Sequence, residues 1–327
     1  MLKDSFNRIH DYLRISLTDK CNLRCTYCNP VDLPKGHYAH SNKMTVDEID
    51  LIAGVFVQLG IKKIRLTGGE PLVRKGAGEI IQRLSRHPVE LAITTNGVFV
   101  HEFIDVFQQA GMKSVNVSLD SLKKNKNALI SGRNEFERVF GNVQLLLKNN
   151  FDVKVNTVLM KGVNDDEIPD FVEWTRHQPV HIRFIEFMPF AGNQWSKEKV
   201  FSQEEILNLI ASHFDFNRLP DDDHGTAKKF AVNDAKGTFG IISTMSHPFC
   251  GSCNRLRLTT DGKMKNCLFS KGEADILGAL RRGDDIVPLI KQCVWDKKKA
   301  QGGQFDSNYK NIDIAQLKNR SMIHIGG

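Results

Sequence analysis

Short apolar runs alternate with longer amphipathic stretches between residues 12 and 188. Apolar residues recur every three or four positions in the longer stretches, which predicts helices over 46–59, 77–84, 101–110, 136–148 and 167–175. The short runs predict strands over 12–18, 63–67, 90–95, 114–119, 152–159 and 181–187. This alternation is typical of parallel βα units. Six units are fewer than the eight of a complete barrel, so we predict an α/β fold with an incomplete (β/α)6 TIM-type barrel.

The predicted strands carry polar residues at every second position. Side chains of a strand point alternately to its two faces, so one face of this sheet is predicted to be apolar and the other polar. Strands of a buried parallel sheet are usually apolar throughout, so the polar face predicts an interior that holds a charged ligand. The alternative, an open sheet with a solvated face, is disfavoured by the intervening helices. The polar set comprises Arg14, Ser16, Thr18, Arg65, Thr67, Thr94, Asn96, Asn116, Ser118, Asp120, Lys154 and Asn156.

The strand–helix rhythm ends near residue 195. We therefore predict two domains, a barrel over 1–195 and a smaller α+β domain over 196–327 that closes the barrel. Strands are predicted over 239–245 and 255–260, and Asp261-Gly262 predicts a tight hairpin turn after the second of them.

Composition and charge narrow the class of protein. A hydrophobic content of 41% with 25% charged residues is ordinary for a globular protein, and no apolar run reaches the length of a membrane span. The first residues lack a signal-peptide core, so we expect a cytoplasmic protein with no membrane partner. The net charge of +7 suits an anionic partner such as a nucleotide or a nucleic acid, or else reflects a solvated basic surface. We interpret the lysine runs 123–124 and 297–299 as such a surface.

Six of the seven cysteines form two clusters. An odd number of cysteines without an export signal argues against a disulfide framework, so the clusters predict metal sites. Each cluster offers three thiolates, one fewer than a closed site needs, which indicates two metal groups that each keep an open position. Cys293 is left over and is expected to be a small core residue. The clusters are Cys21, Cys25 and Cys28, spaced C-x3-C-x2-C, and Cys250, Cys253 and Cys267, spaced C-x2-C-x13-C.

The segment from Cys21 to Cys28, together with Gly68-Gly69-Glu70-Pro71, resembles the radical S-adenosylmethionine (SAM) family. The resemblance implies a [4Fe–4S] cluster on the three cysteines, whose fourth iron binds SAM and whose electron cleaves SAM to a 5′-deoxyadenosyl radical. It also implies that Glu70 supports the glycine loop. A zinc site completed by a histidine is the alternative for this spacing. The residues that the resemblance places beside SAM are Tyr27, Gly69, Ser118 and Met188.

The second cysteine cluster with the terminal Gly326-Gly327 is similar to the GTP 3′,8-cyclase family of molybdenum cofactor biosynthesis. This likeness implies a second [4Fe–4S] cluster that binds guanine. It also implies conversion of GTP to (8S)-3′,8-cyclo-7,8-dihydroguanosine 5′-triphosphate, the first step of molybdopterin synthesis, and a tail that assists catalysis through Arg320, Gly326 and Gly327. The two clusters are then expected to face each other across a hydrophilic cavity. The residues implied to contact GTP are Arg14, Arg65, Thr94, Lys154, Arg255, Leu256 and Arg257.

The implied partners are GTP, SAM, an electron donor such as flavodoxin or ferredoxin, and a downstream cyclic pyranopterin monophosphate synthase. The protein is expected to be a monomer or homodimer that binds no nucleic acid. Two alternatives stay open: a radical SAM enzyme that matures peptides and carries an auxiliary cluster, and a non-catalytic, zinc-bearing nucleic-acid-binding protein.

Overall fold

The computed structural model describes residues 1–28, 43–305 and 308–326, and within these ranges one sheet of twelve strands organises the molecule. A separate pair, β1 (Leu2–Lys3) and β2 (Ile9–His10), precedes it. The strands of the large sheet are β3 (Tyr12–Ser16), β4 (Lys63–Thr67), β5 (Glu90–Thr95), β6 (Ser114–Ser118), β7 (Asp152–Leu159), β8 (His181–Glu186), β9 (Phe216–Arg218), β10 (Lys228–Val232), β11 (Thr238–Ile242), β12 (Arg255–Leu258), β13 (Lys263–Lys265) and β14 (Ala274–Asp275).

Helices separate the successive parallel strands. Residue Thr45 begins the first one with a capping box, because its hydroxyl accepts from Glu48 N at 3.1 Å while the Glu48 carboxylate accepts from Thr45 N at 2.6 Å. The described helices are α1 (Val46–Gln58), α2 (Ala77–Leu84), α3 (Val100–Gln109), α4 (Lys124–Ser131), α5 (Phe136–Lys148), α6 (Ile168–His177), α7 (Gln203–Ala211), α8 (Ile276–Arg281), α9 (Ile286–Trp295) and α10 (Met322–Ile325). No helix in these ranges is long and apolar enough to cross a membrane.

The six predicted parallel strands, β3 to β8, lie side by side in chain order, and their predicted bounds differ from the observed ones by at most two residues. The predicted α/β class with a mostly parallel sheet is confirmed. Two later strands extend this array: β12 pairs with β3 and β11 pairs with β8, both in parallel. Strands that follow residue 195 therefore join the same sheet at both of its sides. The domain boundary between residues 195 and 196 stays a prediction.

The two faces of the sheet differ as the alternation predicts. Leu13, Ile15, Ile64 and Leu66 have no exposed surface and belong to the main apolar core, together with buried residues of the helices. On the other face, the strand register places Arg14 directly between two further arginines of the neighbouring strands. These neighbours are Arg65 on β4 and Arg257 on β12.

The predicted hairpin at Asp261-Gly262 is confirmed, since β12 and β13 pair antiparallel with Arg257 opposite Lys265. Gly262 has a φ of +69°, and a Cβ atom there would lie 2.2 Å from the Cβ of Leu277. Only glycine fits this turn without displacing α8. The hairpin returns the chain so that Cys267 reaches the neighbourhood of Cys250, and the charges of Cys267 and Cys253 add to the rise that burial causes in the pKa of Cys250.

Candidate active site

The first cysteine set lies in the loop that leaves the carboxyl end of β3. This loop is held against the end of α4, because Arg24 N donates to Ser131 O at 2.8 Å and Thr26 N donates to Ile130 O at 3.0 Å. Helix α4 was not predicted from the sequence, because it begins with four polar residues, 124–127. The helix nevertheless forms one wall of the site.

The first set is protonated when it carries no metal. Burial raises the pKa of Cys28 to about 12, and the charges of Cys21 and Asp120 add to this shift. Burial also raises the pKa values of Cys21 and Cys25. Binding of a metal group must therefore displace protons from these thiols. Two N–H donors already face Cys21 Sγ, from Leu23 N at 3.4 Å and Asn96 Nδ2 at 3.7 Å.

The glycine loop after β4 packs backbone to backbone against the loop that leads to Cys21. Gly69 N donates to Thr18 O at 2.6 Å, and a Cβ atom on Gly69 would lie 2.4 Å from Lys20 O. The buried carboxylate of Glu70 fixes the arrangement by accepting from Leu72 N at 3.0 Å, Thr95 Oγ1 at 2.8 Å and Asn96 N at 2.6 Å. Burial raises the pKa of Glu70 to about 7. The glycines thus allow the close contact, and Glu70 joins the ends of β4 and β5.

A cavity opens beside the first cysteine set. Its lining includes Cys25, Tyr27, Asn96, Ser118 and Asp120. The Tyr27 hydroxyl donates to Asp120 Oδ2 at 2.7 Å, and Asp120 Oδ1 accepts from Val158 N at 2.9 Å, which fixes the tyrosine ring. Two of the four predicted SAM contacts, Tyr27 and Ser118, therefore meet at one cavity.

The other two predicted SAM contacts lie apart from the lining of this cavity. Gly69 is in the loop after β4, described above. Met188 is half-buried at the end of β8 and packs with Tyr27 against a second, smaller apolar cluster. That cluster also contains Ile325 of the C-terminal tail.

The polar face of the sheet carries a group of cations at the centre of the molecule. Burial and neighbouring positive charges lower the pKa of Arg14 to about 10, of Arg183 to about 9 and of Lys154 to about 7, although the Lys154 amino group contacts the Asp152 carboxylate. The lowered pKa values mean that burial, and after it each neighbouring cation, raises the free energy of charging these side chains. The members of this cationic group are Arg14, Arg65, Lys154, Arg183, Arg255 and Arg257.

The same face has buried polar atoms without a hydrogen-bond partner among the described residues. They are Thr94 Oγ1, Asn116 Oδ1, Asn156 Oδ1 and Arg255 Nη2. An unpaired buried polar atom costs free energy, so such atoms beside a group of cations indicate a place for a polar, anionic ligand. The partners that Arg65 does have on this face, the Tyr12 hydroxyl and Ile93 O, are neutral.

Arg183 is a member of the cationic group that the predicted site residues did not include. The strand register sets it opposite Asn156 on β7, so it points to the polar face. The signal was available in the sequence, because Arg183 alternates with Ile182 and Phe184 in the predicted strand over 181–187. Leu256 was predicted to contact GTP, but its side chain has no exposed surface and belongs to the apolar core. Any ligand contact of this residue therefore runs through its backbone.

The second cysteine set lies at the amino end of the same strands. Cys250 and Cys253 precede β12, and β12 pairs in parallel with β3, so Cys253 is level with the start of β3 while Cys21 follows its end. The five residues of β3 lie between the levels of the two sets, and at 3.3 Å per residue they span about 17 Å. The polar face with its cationic group occupies this interval.

Charge around the second set differs from charge around the first. Burial would raise the pKa of Cys253, but the positive charges of Arg255 and Lys297 outweigh burial and lower it to about 6. Lys297 is only 3% exposed, so the interpretation of 297–299 as a solvated surface is wrong for this residue. Its two successors, Lys298 and Lys299, are exposed as expected. Cys293 packs half-buried against the main core.

Each cysteine set offers three sulfurs, but within residues 1–28, 43–305 and 308–326 no three metal-binding side chains converge on a single-ion position. Convergence of that kind is what one zinc ion requires. In an iron–sulfur cluster every thiolate binds a different iron, so the sulfurs stand farther apart. The N–H donors to Cys21 Sγ and the cavity beside the first set fit the surroundings that an iron–sulfur cluster needs.

The C-terminal tail reaches the polar face. The Gly326 carbonyl accepts from the Arg257 guanidinium, and a Cβ atom on Gly326 would lie 2.7 Å from Thr67 Oγ1 and 2.8 Å from Ser16 Cβ. Arg320 lies farther back, where its guanidinium binds both carboxylate oxygens of Asp261, at 2.9 and 3.1 Å, and contacts Glu273. Arg320 therefore anchors the tail to the hairpin turn. Gly327 lies outside the described residues.

Comparison with known proteins agrees with this geometry. Residues 15–175 match the radical SAM superfamily, and residues 180–302 match the molybdenum cofactor synthesis C family. The fold is similar to that of SuiB from Streptococcus suis in its structure bound to S-adenosylmethionine, with a TM-score of 0.63 at 12% identity, over 96% of this chain and 73% of SuiB. The class of protein that fold and cysteines define is thus that of the radical SAM proteins.

Curated relatives define the family more closely. The chain is 43% identical to the mitochondrial GTP 3′,8-cyclase of Arabidopsis thaliana, over all of this chain and 84% of the relative. It is 39% identical to the GTP 3′,8-cyclase of Peptoclostridium acidaminophilum, over all of this chain and 98% of the relative. It is 44% identical to molybdenum cofactor biosynthesis protein 1 of Drosophila melanogaster, over 91% of this chain and 54% of the relative, so it spans about half the length of such animal relatives.

The chain belongs to the radical SAM family that contains the GTP 3′,8-cyclases and molybdenum cofactor biosynthesis protein 1. Membership implies SAM and two [4Fe–4S] clusters as cofactors.

Proposed function

We propose that this protein is a GTP 3′,8-cyclase that converts GTP to (8S)-3′,8-cyclo-7,8-dihydroguanosine 5′-triphosphate, the first step of molybdopterin synthesis. The observation that carries the proposal is the cationic group on the polar face, which lies between two cysteine sets at opposite ends of the same strands. A nucleoside triphosphate combines a polyanionic end with a planar polar base. A polar face with cations along it and a cysteine set at each end suits such a ligand.

The residues that would hold the cofactors follow from the two sets. Cys21, Cys25 and Cys28 would hold the first cluster, with Tyr27, Gly69, Ser118 and Met188 around SAM. When bound, this cluster and SAM supply a carbon-centred radical that can remove the hydrogen from the 3′ carbon of the ribose. The second cluster would be held by Cys250, Cys253 and Cys267, with its open iron toward guanine.

The cationic group would bind and orient GTP. Guanidinium groups suit phosphate oxygens because their N–H forks match them in geometry. Cyclisation joins the 3′ carbon of the ribose to carbon 8 of the base, so the protein must hold both atoms of one molecule in contact. Such positioning is worth about 7–11 kcal/mol in intramolecular reactions. The proposed contacts are Arg14, Arg65, Thr94, Lys154, Arg183, Arg255, the Leu256 backbone and Arg257.

The C-terminal tail would shield the polar face from water. Gly326 lies against β3 and β4 on the polar face, and Arg257 holds its carbonyl. In this proposal Gly326 and Gly327 act at the substrate. Arg320 supports them from the hairpin through Asp261, as a positioning residue.

Several finer expectations stay predictions. They are the incomplete (β/α)6 barrel closed by a domain over 196–327, the cytoplasmic location, a monomeric or homodimeric state, a flavodoxin or ferredoxin as electron donor, and a cyclic pyranopterin monophosphate synthase as the downstream partner. Peptide maturation is the alternative activity, and the likeness to SuiB concerns the fold alone at 12% identity.

The proposed activity is tested by product formation in anaerobically reconstituted protein with a chemical reductant. We expect formation of 5′-deoxyadenosine from SAM to accelerate on addition of GTP, and the cyclised triphosphate to accumulate with it. ATP is the matched control, since it has the same triphosphate but lacks the guanine edge. Acceleration by a cysteine-containing peptide and none by GTP would favour the alternative.

Iron content tests the assignment of the two sets. The wild-type protein is expected to hold about eight irons per chain, whereas Cys25→Ser and Cys253→Ser are each expected to hold about four. Cys293→Ser is the control, because this half-buried cysteine packs against the core, and it should retain the wild-type iron content. Equal iron in Cys253→Ser and wild type would contradict the second assignment.

The pH dependence of GTP binding tests Lys154. Its pKa is about 7 in the free protein, and a bound triphosphate would raise it, so binding takes up a proton above pH 7. Affinity for GTP should therefore be flat below pH 7 on account of this residue and fall as pH rises above 7, by up to about tenfold per pH unit. Equilibrium dialysis of the oxidised protein from pH 6 to 8.5 measures this dependence.

Lys154→Arg should bind GTP with a weaker dependence on pH, because arginine stays charged throughout this range. Lys148→Arg, at an exposed position of α5, should keep the wild-type profile. Identical slopes for Lys154→Arg and wild type would show that Lys154 does not contact the phosphates.

A further inference from the structure

One short segment supplies hydrogen-bond donors to two sulfurs of the second cysteine set. We call residues 297–301, which follow α9, the donor segment. Lys297 Nζ lies 3.5 Å from Cys253 Sγ, and Gln301 N lies 3.4 Å from Cys250 Sγ. Both distances lie within the range of hydrogen bonds to sulfur. The donor in the Lys297 contact is an ammonium group. From the sequence, Lys297 was predicted only to be part of a solvated surface.

Lys297 is held in place on all sides. An ammonium group has three N–H donors, and three acceptors surround this one: Cys253 Sγ, Arg255 O at 3.0 Å and His10 Nδ1 at 3.4 Å. A lysine that is 97% buried is uncommon unless it is paired. In the described part of the chain no carboxylate lies in direct contact with it, so the sulfur is the nearest group that can carry a negative charge.

The N-terminal segment supports this lysine from behind. His10 Nε2 lies 3.0 Å from Asp4 Oδ2, so the imidazole connects the ammonium to a buried carboxylate. Arg8 donates through Nε to the same carboxylate at 2.6 Å and through Nη1 to Cys250 O at 2.8 Å. The chain of contacts therefore begins and ends on the second cysteine set, and it fixes Lys297 as well as the turn that carries Cys250.

Gln301 adopts a backbone conformation that serves the same set. Its φ is +44°, which L-residues with a side chain rarely adopt, and its side-chain amide donates to Thr244 O at 2.9 Å. This conformation directs the Gln301 N–H to Cys250 Sγ. A strained residue that donates to a cysteine sulfur indicates a local structure built around that sulfur.

We propose that Lys297 is a positioning residue of the second cluster, which fixes the Cys253 sulfur and places an ammonium group beside the cluster. Reduction of an iron–sulfur cluster adds negative charge, and hydrogen bonds to sulfur and nearby cations favour it. Lys297 thus raises the reduction potential of the second cluster. The proposal rests on the proposed function in one respect, that Cys250, Cys253 and Cys267 hold a cluster.

The test isolates the second cluster in the full chain. Replacement of Cys21, Cys25 and Cys28 by serine leaves this cluster as the source of the electron paramagnetic resonance (EPR) signal, and its midpoint potential is measured by a redox titration. In that background Lys297→Met is expected to shift the midpoint to a more negative value. Lys298→Met, the exposed neighbour, should leave it unchanged. An unchanged midpoint in a Lys297→Met protein that holds four irons would overturn the proposal.

A second measurement needs no substitution at Lys297. The protein with Cys21, Cys25 and Cys28 replaced by serine is labelled with 15N-lysine, reconstituted and reduced, and pulsed EPR detects nitrogen coupled to the spin of the second cluster. We expect a lysine nitrogen coupling at the second cluster, and its absence would overturn the proposal even if Lys297→Met fails to fold. Iron content separates the role of Lys297 from the existence of the second cluster. If the protein with Cys21, Cys25 and Cys28 replaced by serine held no iron, the second cluster itself would be refuted.

Discussion

The site depends on placing several cations on one face of a parallel sheet. Isolated charges are costly to bury, and the pKa values of Arg14, Arg183 and Lys154 are lowered accordingly. The opposite face compensates by contributing a continuous apolar core under the helices. Alternate residues of the same strands form the two faces, so one sequence pattern determines both the apolar core and the polar face. An anionic ligand removes the remaining electrostatic cost.

The two cysteine sets occupy different electrostatic surroundings. The thiols of the first set lie near Asp120 and one another, and burial with these negative charges holds their protons on. In the second set, Cys253 lies between Arg255 and Lys297 and is a thiolate near neutral pH. The polar face joins these two ends of the strands. In the proposed function, a ligand that spans this face meets a different electrostatic environment at each end, with the base at one end and the sugar at the other.

Much of this arrangement follows from local sequence patterns. The six strands, the polar face and both cysteine sets could be predicted because alternation and spacing are local signals. The burial of Lys297 could not, because it depends on His10 and Cys253, which are distant in sequence. The joining of β11 and β12 to the sides of the sheet is likewise a long-range pairing. Helix α4 was not predicted because its start is polar, and its carbonyls at Ile130 and Ser131 accept hydrogen bonds from the distant cysteine loop.

In the proposed function, a nucleoside triphosphate lies along the polar face between the two cysteine sets. A crystal structure of the anaerobically reconstituted protein with GTP and SAM would show whether it does. We expect phosphate oxygens at about 3 Å from guanidinium nitrogens of the cationic group, with guanine at the end that carries Cys253. GTP bound on the outer surface, with the polar face occupied by water alone, would contradict it.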